Sequence, residues 1–216
     1  RNHRQLLVDY PLFPYLIYGY LNANLSYSKR DKIAQYLNGY EGTGKARHLR
    51  NKWLDYLAKR KYWTTFIELY NPHEANTKQQ CQFEFARLNR LEAEAKEQAF
   101  ESALTLWNVG KSQPKECDKL FSLLVSEKKI TEPLAWRRFN KALLNHQYIL
   151  ARYLQRYLKS KHYKALAKRY YNVDRNPQLI NQFAEFSLHS DGELRIIEHG
   201  LVHLARKNSH ATLKAW

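Results

Sequence analysis

The sequence predicts an all-α protein: an irregular α-solenoid or superhelix of antiparallel helical hairpins, with about 12–13 helices. Composition is the first ground, since 31 Leu and 19 Ala stand against 5 Val and 7 Thr, a balance that favours helix over strand. Apolar residues at spacings of three and four are the second, because they line one face of a helix. Third, short corners follow one apolar helix end and precede the next helix, which makes consecutive helices antiparallel neighbours. Each hairpin has too little apolar face to fold alone and must stack on the next. A closed helical bundle is the alternative architecture.

Asp9-Tyr-Pro-Leu-Phe-Pro-Tyr15 opens the chain, with Pro11 and Pro14 pre-setting a first helical turn. Phe13, Leu16, Ile17, Tyr20 and Leu21 then form one apolar stripe. A second helix is predicted at Lys29–Leu37, followed by the turn Gly39-Tyr-Glu-Gly-Thr-Gly44. That turn lacks the Lys-Ser/Thr ending and the preceding apolar strand of a phosphate loop. Arg47–Lys59 places Leu49, Trp53, Leu54 and Leu57 on one face, and Trp63, Phe66, Ile67 and Tyr70 make the next stripe. Basic or polar corners stand at Lys59-Arg-Lys61, Leu88-Asn-Arg90, Leu144-Asn-His146 and Leu204-Ala-Arg-Lys207.

Thr77–Leu91 carries Cys81, Phe85 and Leu88 along one side, and Glu92–Leu106 carries Ala95, Ala99, Ala103 and Leu106. A helix end near Trp107 is followed by Gly110-Lys-Ser-Gln-Pro114, then by a helix from Cys117-Asp118 with Leu120, Phe121, Leu124 and Val125. Gly110 suits a position just past a helix end, and Pro114 cannot continue one. Pro133 starts a helix with Trp136, Phe139 and Leu143. Ile149–Leu158, His162–Tyr171, Pro177–Leu188, Glu193–Arg206 and Ala211–Trp216 complete the predicted set.

The formal net charge is +16, which implies an anionic partner or a polyanionic environment. From Pro133 to Val173 there is no Asp or Glu, yet there are ten Lys and Arg: Arg137, Arg138, Lys141, Arg152, Arg156, Lys159, Lys161, Lys164, Lys168 and Arg169. This run is either a solvated helical face or a binding surface. Within Arg152–Tyr171 the cations interleave with Tyr153, Tyr157, Tyr163, Tyr170 and Tyr171. Such interleaving serves a nucleic-acid backbone, a carboxylate-bearing sugar polymer, or plain packing with tyrosines inside and cations outside. The last reading is the simplest. The candidate anionic-polymer contacts are Arg152, Arg156, Lys159, Lys161, Lys164, Lys168 and Arg169.

Cys81 and Cys117 are the only cysteines. They can be reduced core residues or a disulfide closing a 36-residue separation, worth roughly 3–4 kcal/mol in loop-closure entropy. His199 and His203 lie four apart with Glu198 alongside and His189 and His210 nearby. That spacing can hold a metal, but Gly200 breaks the metalloprotease pattern, and ordinary half-exposed histidines are the simpler reading. No metal or cofactor is expected. No Ser/His/Asp set, dinucleotide fingerprint or zinc-cysteine spacing is present, and no apolar run approaches the ~20 residues of a membrane span. The chain begins at Arg1 and has no Met, as a processed chain or an excised fragment would.

Gly110-Lys-Ser-Gln-Pro, two residues, then Cys-Asp-Lys-Leu-Phe121 resembles the N-terminal superhelical region of the soluble lytic murein transglycosylases. The Asp9–Tyr15 opening is similar to that family's Asp-Tyr-Pro-Leu-x-Pro-Tyr. So is the stretch from Cys81 through its following aromatics and Ala86 to Leu106-Trp107. These motifs cover a minority of the chain. The resemblance implies a bacterial periplasmic enzyme that cleaves the MurNAc–GlcNAc bond of peptidoglycan and leaves a 1,6-anhydro sugar. It implies that a single Glu acts in a separate lysozyme-like C-terminal domain marked by Glu-Ser, Gly-Leu-Met-Gln and Ala-Tyr-Asn-Ala-Gly.

Here Glu101-Ser102 is the only fragment of that signature, and it falls inside the helical stretch. No catalytic residue is therefore assigned. Residues 1–216 are expected to be a single superhelical domain, inactive alone, that places substrate and docks its own C-terminal catalytic domain. The resemblance also implies a Cys81–Cys117 disulfide, since the periplasm is oxidising. Peptidoglycan is the expected partner, with no nucleic acid and no membrane span. A basic helical-repeat module for nucleic acid or an acidic protein is the alternative.

Overall fold

The computed structural model describes residues 10–90, 93–182, 186, 190–207 and 209–215. Among these, twelve α-helices and four short 3-10 turns make up the regular structure, with no strand. The helices are α1 (Phe13–Ala23), α2 (Arg30–Gly39), α3 (Gly44–Lys59), α4 (Trp63–Leu69), α5 (Thr77–Leu88) and α6 (Ala93–Trp107). They continue with α7 (Asp118–Ser126), α8 (Glu132–Leu144), α9 (Tyr148–Leu154), α10 (Lys161–Arg175), α11 (Asp191–Lys207) and α12 (Ser209–Ala215). The all-α fold class is the one predicted. Two compact units divide the chain: Arg1–Ala103 with Pro114–Phe121, and Leu104–Gln113 with Ser122–Trp216.

In the first unit α2, α3 and α4 close a core of Ile33, Leu37, Leu49, Trp53, Leu57 and Phe66. Their spacing of three and four puts these side chains on the facing stripes of neighbouring helices. Thr43 caps α3 by accepting from the Ala46 amide at 3.2 Å, and Asn76 with Gln79 forms a reciprocal capping box on α5. The predicted stripe of α1 is corrected: Leu21 is buried and Ile17 and Tyr18 pack on the core, but Leu16 and Tyr20 face solvent. The buried face of α1 is thus rotated from the one that the longest apolar side chains suggest. Asp9 lies outside the described residues.

Cys81 on α5 and Cys117 at the end of the 3-10 turn Lys115–Cys117 are joined in a disulfide, with their Cα atoms 5.0 Å apart. Both are fully buried.

Three corners reverse the chain without glycine. Lys61 (φ 63°), Lys128 (φ 54°) and His146 (φ 55°) each adopt the left-handed conformation just past a helix end. In each, the following amide reaches back five residues: Tyr62 to Leu57, Lys129 to Leu124 and Gln147 to Ala142, at 2.8–2.9 Å. The left-handed residue's own amide bonds the next carbonyl along, on Ala58, Val125 and Leu143. These are Schellman motifs, which satisfy the orphan carbonyls of a helix end.

In the second unit Trp136, Phe139 and Tyr170 pack ring against ring, with Trp136–Phe139 centroids at 5.3 Å and Phe139–Tyr170 at 5.9 Å. The segment after α6 is held by α8. Lys141 Nζ donates to the Asn108 carbonyl (2.8 Å), Arg138 Nε to Val109 (3.2 Å) and Asn145 Nδ2 to Gly110 (3.3 Å). Two donors on α8 and one from Asn145 at its C-terminal cap thereby satisfy three successive carbonyls.

Gly110 has a different role from the one its position suggests. Its φ is not positive, and a Cβ there would stand 2.7 Å from the Lys141 carbonyl carbon. Close approach of two backbones, and not a left-handed turn, requires glycine here.

Two predicted helices are shorter than expected. Ile149–Leu158 becomes α9 followed by a 3-10 turn at Gln155–Tyr157, and Ile149 itself is 88% exposed. Pro177–Leu188 is a 3-10 turn at Pro177–Asn181 that ends at Gln182, whose ψ of 64° leaves the helical region. Residues 183–185 and 187–189 lie outside the described residues, as do Leu91, Glu92, Asn208 and Trp216, and the side chain of Ala95.

Candidate functional site

A groove of about 800 Å³ runs along α9 and α10 in the second unit. Arg152, Lys164, Lys168 and Arg175 line it together with Tyr148, Gln155 and Tyr171. On α10, Lys164, Lys168, Tyr171 and Arg175 follow at intervals of four, three and four, which is one helical stripe. The opposite stripe of α10, with Leu166, Tyr170 and Val173, is buried. Core packing on one side therefore aims the cations outward on the other.

All four cations are exposed, and none forms an ion pair among the described residues. Among the described residues Asp174 is the one carboxylate on the wall, and it is engaged by Tyr148 and His199. Burial, then the Asp174 carboxylate, pushes the Tyr148 hydroxyl above the usual phenol range. Burial also raises that of Tyr171, whose hydroxyl bonds with Gln155. Both stay neutral near pH 7 and offer hydrogen bonds beside the cations.

Three of the seven predicted contacts, Arg152, Lys164 and Lys168, come together here. Four do not. Arg156 stacks its guanidinium 3.9 Å over the Tyr153 ring. Lys159 and Lys161 are exposed away from the groove lining. Arg169 pairs with Glu193 and stacks at 5.0 Å on Phe186. Arg175 was missed, because Asp174 beside it ends the acid-free run; its register with Lys164 and Lys168 was the available signal.

Arg138, counted among the run's cations, is 3% exposed. Burial brings its pKa down to about 10, so it remains charged near pH 7. The tyrosines divide as well: Tyr157 packs on Trp107, Tyr163 tilts on Trp136, and Tyr170 is buried. Burial, helped by Tyr153, pushes the Tyr157 hydroxyl up to about 12. Most of the aromatic interleaving is therefore packing.

A second cationic cavity, of about 490 Å³, lies in the first unit with Lys59, Lys61, Lys78, Lys115 and Lys119. Asp55 and Glu116 share its wall, and Lys78 pairs with Asp55 at 2.7 Å. That internal pairing makes it the weaker anion site.

Of the two histidines of α11, His203 is half-buried as expected, but His199 is not. His199 is 2% exposed and its Nε2 lies 2.7 Å from Asp174 Oδ1. The His203 ring stands 4.2 Å from that of His199, centroid to centroid. Glu198 is paired with Arg195 instead, His210 is exposed on α12, and His189 lies outside the described residues. Glu101-Ser102 is part of α6: Glu101 is exposed, and Ser102 Oγ donates to the Gln98 carbonyl of its own helix at 3.2 Å.

No family model matches the chain. The soluble lytic murein transglycosylase of Salmonella typhimurium is 33% identical over 130 residues, covering 60% of this chain and 20% of the relative. That of Escherichia coli K12 is 32% identical over the same length. Among solved structures, the lytic transglycosylase Slt of Pseudomonas aeruginosa, an inactive mutant, superposes with a TM-score of 0.82 at 30% identity, covering 99% of this chain and 34% of that one. The 70 kDa soluble lytic transglycosylase of Escherichia coli gives 0.74 at 25% identity, covering 97% and 33%. The chain thus spans about a fifth of the curated relatives it matches and a third of the solved ones. It is homologous to the soluble lytic murein transglycosylases, and the part it matches is their N-terminal superhelical region.

Proposed function

We propose that this chain is the superhelical scaffold portion of a periplasmic lytic murein transglycosylase. The parent enzyme would cleave the MurNAc–GlcNAc bond of peptidoglycan without hydrolysis, giving 1,6-anhydro-MurNAc. This portion would place substrate and dock the catalytic domain, without performing the chemistry. Homology over 130 residues to the Salmonella typhimurium enzyme is the observation that carries the reading. The buried disulfide fits an oxidising compartment. No helix among the described residues is long and apolar enough to cross a membrane.

Within this reading the groove of Arg152, Lys164, Lys168 and Arg175 holds the wall polymer through the carboxylates of its stem peptides. Lysines and arginines that form no ion pair among the described residues, beside neutral tyrosines, supply charge and hydrogen bonds to such a ligand. Co-sedimentation with purified sacculi across a salt series tests it. Binding should weaken as salt rises, and Lys164→Glu with Lys168→Glu should reduce it by about tenfold or more. Binding that salt and the double reversal leave unchanged would overturn the assignment of the groove. The chain alone should release no anhydro-sugar products from sacculi. The nucleic-acid reading gains no support from the relatives; RNA binding tighter than sacculus binding at matched salt would revive it.

A further inference from the structure

We propose that Asp174, His199 and His203 form a binding site for a borderline divalent transition metal, with zinc as the probe of choice. One ligand atom from each of the three lies within 4.8 Å of the others. Two elements build the cluster: the last turn of α10 supplies Asp174, and successive turns of α11 supply His199 and His203. Residues four apart on a helix project from one face, so both imidazoles meet the carboxylate together.

The donor set selects the class of ion. Two nitrogens and one carboxylate oxygen suit zinc, cobalt or nickel, while magnesium and calcium require sets made of oxygen. At ligand distances of about 2.0–2.2 Å, tetrahedral donors stand about 3.4 Å apart. Donors up to 4.8 Å apart must close by about 1.4 Å, and the 2.7 Å hydrogen bond between His199 Nε2 and Asp174 Oδ1 gives way to the ion. A neutral imidazole offers a lone pair on one ring nitrogen or the other by choice of tautomer.

Second, the surroundings are arranged as they are around bound metals. His199 and Asp174 are nearly enclosed, and Tyr148 hydrogen-bonds to Asp174, so the ligands are already oriented by neighbours. The His146 ring lies 6.0 Å from that of His203, centroid to centroid, which brings a third imidazole to the edge. Asp174 also lines the cationic groove, giving an ion a path from solvent. The cations Arg175 and Arg206 lie close in sequence to the ligands, so occupancy depends on coordination and not on a general negative field. Three protein ligands leave one tetrahedral position open, as in sites that take water or an anionic oxygen.

The test uses the whole chain, stripped with a chelator and then titrated with Zn²⁺ in a calorimeter, and with Co²⁺ by visible absorption. One saturable equivalent is expected, with the strong visible bands of four-coordinate cobalt and a rise in Tm on adding zinc. His203→Ala and Asp174→Asn should each weaken binding at least tenfold, while His210→Ala should not change it. His203 is half-buried, and the circular dichroism of its variant checks that the fold survives. Absence of saturable binding, or binding unaffected by both ligand variants, would overturn the proposal.

Discussion

Arg138 lies beneath Trp107, its guanidinium carbon 4.6 Å from the ring centroid, while its Nε donates to the Val109 carbonyl. A buried cation is costly unless it is hydrogen-bonded, and both the aromatic face and the carbonyl stabilise this one. Arg138→Ala should therefore cost roughly 2–4 kcal/mol, through a cavity and an orphaned carbonyl. Urea denaturation followed by circular dichroism measures it. Loss below 1 kcal/mol would show that the loop after α6 finds other donors.

Two glycines with opposite surroundings give a paired prediction. At Gly110 an added methyl meets the Lys141 backbone, whereas at Gly19 nothing lies within 4 Å. Gly110→Ala should destabilise by about 2 kcal/mol or more. Gly19→Ala, on the exposed face of α1, should stabilise by about 0.5–1 kcal/mol. Thermal melts of the two variants should move in opposite directions.

Lys128 holds φ at 54° on an exposed corner. A left-handed residue with a Cβ costs about 1 kcal/mol, which glycine avoids. Lys128→Gly should raise Tm, an unusual sign for removing a side chain. An unchanged or lowered Tm would mean that the lysine side chain compensates its backbone.

The Cys81–Cys117 bond closes a separation of 36 residues. Replacing both cysteines by serine should lower stability by roughly 3–4 kcal/mol on the loop-entropy account. Because both sulfurs are fully buried, reductant should act on the native protein only through unfolding. Thiol counting under native conditions, with and without a reductant, distinguishes this from a readily reduced bond.

Glu132 accepts hydrogen bonds from the Ser160 and Lys159 amides ahead of α10, and these hold its carboxyl below the ordinary value of 4.5. A depressed folded value means the unfolded chain binds the proton first. The contribution is therefore fully present above pH 4.5 and is lost as pH falls through the folded value. Glu132→Gln should remove that part of the acid-side decline in Tm, leaving the two melting curves closer together below pH 4 than at pH 6. A gap that does not narrow in acid would count against the cap.

Helix identity was legible because it is a local property. Trp53, Leu57, Phe66 and Phe139 announce their buried faces by spacing alone, and the resemblance carried by Gly110–Phe121 anticipated the disulfide. The candidate site was legible only in part. A run free of acids marks where cations are plentiful, yet it says nothing about which of them face inward. Arg138 and Arg169 belong to that run and serve packing and pairing, while Arg175 falls outside it and joins Arg152, Lys164 and Lys168. His203 and His199 declared themselves by their spacing, but Asp174, 25 residues before His199, gave no sign of being their partner.

The sequence alone determined an all-α chain of short helical hairpins, since helix propensity and apolar period act over a few residues, and the motifs at Asp9–Tyr15 and Gly110–Phe121 carried its resemblance to the lytic transglycosylases. The tertiary structure alone decided which cations share a groove, why Gly110 must lack a side chain, and where the α11 histidines find a carboxylate. Those are contacts between distant segments, and they depend on how one helix is rotated against its neighbour, a quantity that no local pattern encodes.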